Sequence, residues 1–240
     1  MALLEVAGLT KHFRGLRAVH AVSFDVPEGG IVAMIGPNGA GKTTCFNLIA
    51  GVFAPDAGAV RLGGRDITGL RPHAICRAGI GRTFQVVKPF PQMSVLDNVV
   101  VGALNAHRHV RDARGAAEEA LALLHLEGKA GELAASLTLP ERKRLEVARA
   151  TATRPRLLLL DEVMAGLRPT EVDDMVGMFR RLNAETGLTI LVIEHVMRAV
   201  MALAGTIVVL HHGEKICEGT PETVVRDPAV LECYLGAEAL

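Results

Sequence analysis

The sequence predicts an α/β protein of one domain, with a parallel sheet core, an antiparallel β subdomain and a helical insertion. Three observations lead there. An apolar run at residues 31–35 passes into Gly36-Pro37-Asn38-Gly39-Ala40-Gly41-Lys42-Thr43 and then into an apolar helical pattern over 44–50, the order strand, glycine loop, helix. Short, continuous apolar runs at 157–160, 189–193 and 206–210 are separated by helical patterns, as parallel strands covered on both faces require. From residue 94 to about 152 the composition shifts to Ala, Leu, Glu and Arg at helical spacing.

Each element has its own signal. Residues 19–26 alternate roughly between apolar and polar, and 59–62 follow an Ala-Pro-Asp-Ala-Gly turn, so both read as half-solvated antiparallel strands beside the glycine loop. A further strand is expected over 80–84, ending at Gln85. In the insertion, a helical subdomain set at about residues 88–152, Ala113, Ala117, Ala120, Leu121 and Leu124 form one apolar face. Pro169 opens a later helix with Val172, Met175, Val176, Phe179 and Leu182 on one side, and Gly187 falls just past its end.

Composition narrows the function. The 240 residues are 50% hydrophobic, enough for a substantial core. Twenty-six basic residues balance 26 acidic ones, which argues against a nucleic-acid partner. Cys45, Cys76, Cys217 and Cys233 lack metal-ligand or disulfide spacing, consistent with a reduced cytosolic protein. His107 and His109, with Arg108, Arg111 and Arg114, read as a solvated helix surface. The first nine residues lack a basic secretory n-region, and the longest uncharged stretch, 199–210, falls short of the roughly 20 residues that span a bilayer. Any membrane role is expected to come through a partner.

The chemistry begins at the glycine loop. Gly36, Gly39 and Gly41 let the backbone, with Pro37, Asn38 and Ala40, wrap a polyphosphate while amide hydrogens and the positive end of the next helix face the anion. Lys42 supplies a point charge for the outer phosphates, Thr43 a hydroxyl for Mg2+, and Thr44, at the helix start, is expected to complete the nucleotide-binding set. This is a complete P-loop, and it predicts binding of ATP or GTP. The apolar strand at 157–160 ends in Asp161, suited to magnesium, and Glu162, suited to polarise an attacking water. A second strand delivers Glu194 and His195 to its carboxyl end, where ligand crevices of such sheets form. Gln85 is placed to reach the metal or the water and to feel the insertion move.

Taken in order, the glycine loop, Thr83-Phe84-Gln85, the helical insertion, the strand ending in Asp161-Glu162 and Ile193-Glu194-His195 resemble the ATPase subunit of ABC transporters over essentially the whole chain. The resemblance implies a P-loop NTPase (RecA-like) core binding ATP and Mg2+. It further implies that Phe13 stacks on adenine, Gln85 is the Q-loop, Asp161 and Glu162 the Walker B pair and His195 the switch histidine. By its residue type alone Phe13 equally suits the core of an N-terminal strand. Gly79-Ile80-Gly81-Arg82-Thr83-Phe84-Gln85, Ile193-Glu194-His195-Val196-Met197, Glu218-Gly219-Thr220-Pro221-Glu222 and Tyr234-Leu235-Gly236 are most similar to the branched-chain amino acid (Liv-type) importers of prokaryotes. That likeness implies a second cassette, two transmembrane permease subunits, an extracytoplasmic substrate-binding protein, and a peripheral place on the cytoplasmic face of the inner membrane. The stretch 86–93, apolar with Pro89 and Pro91, is the expected surface toward the permease.

Two departures from the family pattern stand out. Leu137-Thr138-Leu139-Pro140-Glu141 replaces the signature Leu-Ser-Gly-Gly-Gln that reaches the partner's ATP. Thr138 keeps a hydroxyl, whereas Leu139 adds bulk, Pro140 lacks an N–H and Glu141 brings negative charge, so a weakened trans contact is expected. Thr138-x-x-Glu141 is also a capping box, so a helix is expected to start here and carry 142–150. Arg168 stands where the family has Asp or Asn, to pair with a partner carboxylate or lie in solvent. The leading expectation is an ATP-hydrolysing importer subunit for branched-chain or related apolar amino acids. The alternatives are a catalytically weak regulatory subunit paired with a different cassette, and an ABC ATPase exporting another substrate.

Overall fold

A computed structural model describes residues 1–85 and 88–235. Strands β1 (Ala2–Phe13) and β2 (Leu16–Pro27) form an antiparallel hairpin closed by Arg14 and Gly15, whose φ values of 45° and 89° match a two-residue turn twisted with its strands. Then come β3 (Ile31–Ile35), α1 (Lys42–Ile49), β4 (Ala57–Leu62) and β5 (Arg65–Asp66). The four-stranded sheet has the order β2-β1-β4-β5, antiparallel throughout.

The chain continues through α2 (Pro72–Ala78) and β6 (Ile80–Arg82), then the inserted helices α3 (Val95–Ala103), α4 (Val110–Leu123) and α5 (Leu139–Thr151). It returns as β7 (Leu157–Asp161), α6 (Pro169–Thr186), β8 (Thr189–Ile193), α7 (Met197–Leu203), β9 (Thr206–His211), β10 (Glu214–Gly219), α8 (Pro221–Val224) and α9 (Pro228–Leu235). The second sheet has the order β10-β9-β3-β8-β7-β6, parallel except for β10.

The continuous apolar runs are explained by burial on both faces. Leu157 and Leu159 pack with α1 and the antiparallel sheet, while Leu158 and Leu160 join the cluster formed with α3 to α7. The five insertion residues expected on one face, Ala113, Ala117, Ala120, Leu121 and Leu124, are all buried in that second cluster. Helix α6 ends as expected, with Gly187 in the left-handed conformation at φ 68°.

Two expectations are corrected. The strand over 80–84 stops at Arg82, because Thr83 turns its hydroxyl to accept from the Asp161 N–H at 3.1 Å and the chain then leaves the sheet. His107 to His109 lie in the connection between α3 and α4 rather than on a helix; His109 is the N-cap of α4, and only Arg111 and Arg114 sit on the helix. Helix α5 begins at Leu139 behind Thr138 as N-cap, where the capping box placed the helix start, and Pro140 fits a first turn whose N–H groups need no helical partner.

Candidate nucleotide site

The glycine loop joins the carboxyl end of β3 to α1. At Gly36, φ is 148° and a Cβ would lie 2.1 Å from the Leu210 carbonyl; at Gly41, φ is 101° and a Cβ would lie 2.5 Å from the Ala18 carbonyl. A side chain at either place is excluded twice, by backbone conformation and by neighbouring backbone. Lys42 Nζ donates to the Gly36 carbonyl at 2.7 Å and the Pro37 carbonyl at 3.0 Å, so the ammonium is held over the loop. Burial lowers its pKa, and the nearby Glu162 and Asp161 charges oppose that shift.

A cleft of 720 Å³ is lined by Phe13, Asn38, Gly39, Ala40, Gly41, Lys42, Thr43, Thr44, Gln85 and Glu162. Gly36 and Pro37 stand behind it as the acceptors of Lys42. Phe13, at the end of β1, is 37% exposed and meets Phe53 edge-on with ring centroids 5.2 Å apart. It is therefore a rim residue of the cleft, with Lys11 Nζ over its ring 5.7 Å from the centroid, and the core position is excluded.

The carboxylates arrive from β7. Asp161 is buried; Oδ2 accepts from Arg82 Nη2 at 2.9 Å, while Oδ1 is buried with no hydrogen-bond partner. Burial raises its pKa, and the hydrogen bond and charge of Arg82 act against that rise. Glu162 adopts φ 50°, its N–H bonds the Ile193 carbonyl at 2.9 Å, and its Oε2 accepts from Gln85 Nε2 at 2.7 Å. His195 is exposed, with Nδ1 4.0 Å from the same Glu162 oxygen. Thr43, Gln85 and Asp161, the three residues assigned to metal from sequence, share the lining of one adjoining cleft. Asp161 Oδ1 supplies there the unsatisfied oxygen that a hard cation takes.

Several residues that hold this arrangement carry no local sequence signal. Arg82 bridges Asp161 and Asn47 Oδ1, the latter at 2.7 Å, tying β6 to both β7 and α1. Lys143 on α5 is buried, and its Nζ donates to the Glu162 carbonyl at 3.4 Å. Burial lowers its pKa against the pull of Glu194 and Glu162. Glu194, which the sequence placed beside His195 at the ligand crevice, is instead a buried brace whose Oε1 accepts from the Met164 N–H at 2.7 Å.

The altered signature has its own internal chemistry. The Glu141 carboxylate accepts from both the N–H and the hydroxyl of Thr138, each at 2.8 Å, and Lys129 pairs with it at 3.2 Å. Partial burial works against ionisation, but the two Thr138 hydrogen bonds and Lys129 together hold the carboxyl below its usual range. The negative charge expected to face an anion is thus matched locally, and the Thr138 hydroxyl is already engaged. Leu139 is 41% exposed, and Leu137 is buried. Arg168 lies in solvent, one of its two expected roles, and there Nε and Nη2 both bond Glu171 Oε1, at 2.9 and 2.7 Å, while its N–H bonds Oε2.

Comparison with known proteins agrees with this geometry. Residues 19–165 match the ABC transporter family, and residues 214–239 match the branched-chain amino acid ATP-binding cassette transporter family. A glycine loop on β3, a carboxylate pair on β7 and an inserted helical segment between them make the chain a member of the ATP-binding cassettes of ABC transporters, an ATPase whose hydrolysis is coupled to transport. Among its relatives, the high-affinity branched-chain amino acid transport ATP-binding protein BraF of Pseudomonas aeruginosa is 42% identical, with 98% of each chain covered. The solved ADP conformation of an ATP-binding cassette of an ABC transporter superposes with a TM-score of 0.89 at 31% identity, covering 98% of this chain and 99% of that one. A dimeric bacterial ABC transporter cassette superposes with a TM-score of 0.81 at 25% identity, covering 91% and 98%.

Proposed function

We propose that this chain, one ABC ATPase domain over residues 1–240 with a helical subdomain at about 88–152, energises import of branched-chain or related apolar amino acids. What carries the reading is the coincidence of a complete ATPase site with a carboxyl-terminal segment of the branched-chain cassette type and a nearly full-length relative of that class. The regulatory and exporter alternatives are not favoured, because the carboxyl-terminal match is to the branched-chain cassette family.

In this reading Phe13 packs on the base, the glycine loop N–H groups and Lys42 hold the phosphates, and Glu162 orients the attacking water. Lys42 and His195 stabilise charge that grows on the γ-phosphate. Magnesium, when bound with ATP, neutralises phosphate charge, and Thr43, Gln85 and Asp161 Oδ1 are the groups that hold it. The Gln85 hydrogen bond keeps one Glu162 oxygen aimed, so a shift of the insertion that moves Gln85 alters the base. A second cassette lends the Thr138 segment in trans, and two permeases and an extracytoplasmic binding protein supply the cargo.

The expected permease surface, 86–93, begins at Val86 and Val87, which lie outside the described residues. Beyond them, buried Asn98 accepts from the Phe90 N–H at 2.8 Å and donates to its carbonyl at 3.0 Å, pinning an exposed ring over Arg149. An adjoining apolar cleft of 260 Å³ is lined by Val52, Ile75, Phe84 and Val101. No described helix is long and apolar enough to cross a membrane, which agrees with a peripheral place on the cytoplasmic face of a prokaryotic inner membrane, held there by the permeases. Reconstitution with permeases, second cassette and binding protein should give ATP-driven uptake of leucine, isoleucine and valine in mutual competition. ATP hydrolysis without uptake of any of the three would overturn the cargo assignment.

A further inference from the structure

The nucleotide cleft occupies the carboxyl ends of the strands, and a separate cleft of 380 Å³ opens at the opposite ends of β7 and β8. One wall is α4; the other is the chain entering those two strands. No residue of the ATPase site lines it. The volume lies in the range of small-ligand pockets, about 300–1,000 Å³.

Its chemistry is specific. Ala116, Ala120 and Leu123 give an apolar floor on α4. Glu119 on α4 and Arg154 on the core side bring opposite charges to the mouth; both are exposed, and neither forms an ion pair among the described residues. The other charges here, Arg156 and Glu28, pair with each other at 3.2 Å. Arg154 holds φ 54° in the turn that ends α5, its N–H bonded to the Thr151 carbonyl at 2.9 Å, which sets the backbone from which its side chain leaves. Thr151 Oγ1, also in the lining, is buried with no hydrogen-bond partner. A fitting ligand therefore carries a carboxylate for Arg154 and Thr151, an ammonium for Glu119 and a short apolar chain for α4.

We propose that this cleft is a regulatory site for a free aliphatic amino acid, whose occupancy ties α4 to the strand ends and slows ATP turnover. The ligand touches both the insertion and the core, so binding favours one relative placement of the two. If the cargo is of the same class, its accumulation restrains its own import; that clause alone rests on the importer reading.

Titration calorimetry of the purified chain with L-leucine should give a dissociation constant of about 0.01–1 mM. Arg154→Ala and Glu119→Gln should each weaken binding about tenfold while ATP binding stays unchanged, which shows that the variants are folded. 4-Methylpentanoate and isoamylamine, each lacking one of leucine's charges, should bind at least as weakly as leucine binds those variants. ATP turnover of the isolated chain should fall with the same half-saturation, and Arg154→Ala should lose that response. Absence of binding up to about 10 mM, equal binding by the variants, or unchanged turnover at saturation would overturn the proposal. Leucine binding to the isolated chain without uptake by the assembled transporter would instead count against the importer reading, so the two failures are separable.

Discussion

At residue scale, Glu141 shows how a substitution that looks damaging is absorbed. Its carboxylate takes two hydrogen bonds from Thr138 and an ion pair from Lys129, so it caps α5 rather than presenting a bare charge. Replacing it by alanine should cost about 1 kcal/mol in urea unfolding at neutral pH. The folded pKa is held below its usual value, so on acidification the unfolded chain takes up the proton first. The stabilisation is complete above the usual carboxylate range and fades as pH falls through the lowered folded value. Wild type and Glu141→Ala should therefore converge in acid; a difference that stays constant with pH would refute the assignment.

At the scale of elements, the glycine loop is fixed by its neighbours as much as by its own sequence. Gly41 combines φ 101° with an Ala18 carbonyl 2.5 Å from any added Cβ. Gly41→Ala should lower stability by about 1–3 kcal/mol and weaken ATP binding together, read by thermal unfolding and nucleotide titration. Unaltered ATP affinity would show that the loop does not set phosphate geometry. The strand, loop and helix around it were legible because their signals are local: an apolar run, glycines at fixed offsets and a helical period. Asp161, Glu162 and Gln85 were legible because they sit at or just beyond strand ends. Arg82 and Lys143 were not, since they reach Asp161 and Glu162 across 79 and 19 positions, through contacts that no window of sequence contains. The Arg168–Glu171 bond, three residues apart, did lie within reach of a local reading, but the resemblance drew attention to a partner subunit instead. Conversely, Glu194 looked like a ligand-facing group because strand position alone cannot tell which side of a strand end a side chain takes.

At the scale of the whole molecule, each glycine loop is proposed to be closed by the signature of another cassette. This chain's Thr138 hydroxyl is committed to Glu141 and Leu139 is partly exposed, so two copies are proposed to give each other a weak trans contact. Turnover at this chain's own site should therefore rise several-fold, about 1 kcal/mol in barrier, when it is paired with a cassette retaining a small-residue signature. The comparison is made with both dimers on the same permeases; a homodimer that matches the mixed dimer would remove the signature as a determinant.

The most direct test of the ATPase account is a paired measurement of ATP binding and ATP turnover for wild type and Glu162→Gln in the assembled transporter. Glutamine keeps the size of the side chain but not the base. Turnover should drop by about 10²–10⁴-fold, with the ATP dissociation constant changed by less than about twofold. Equal hydrolysis by the two proteins would contradict the role given to Glu162 and, with it, the chemistry assigned to this cleft.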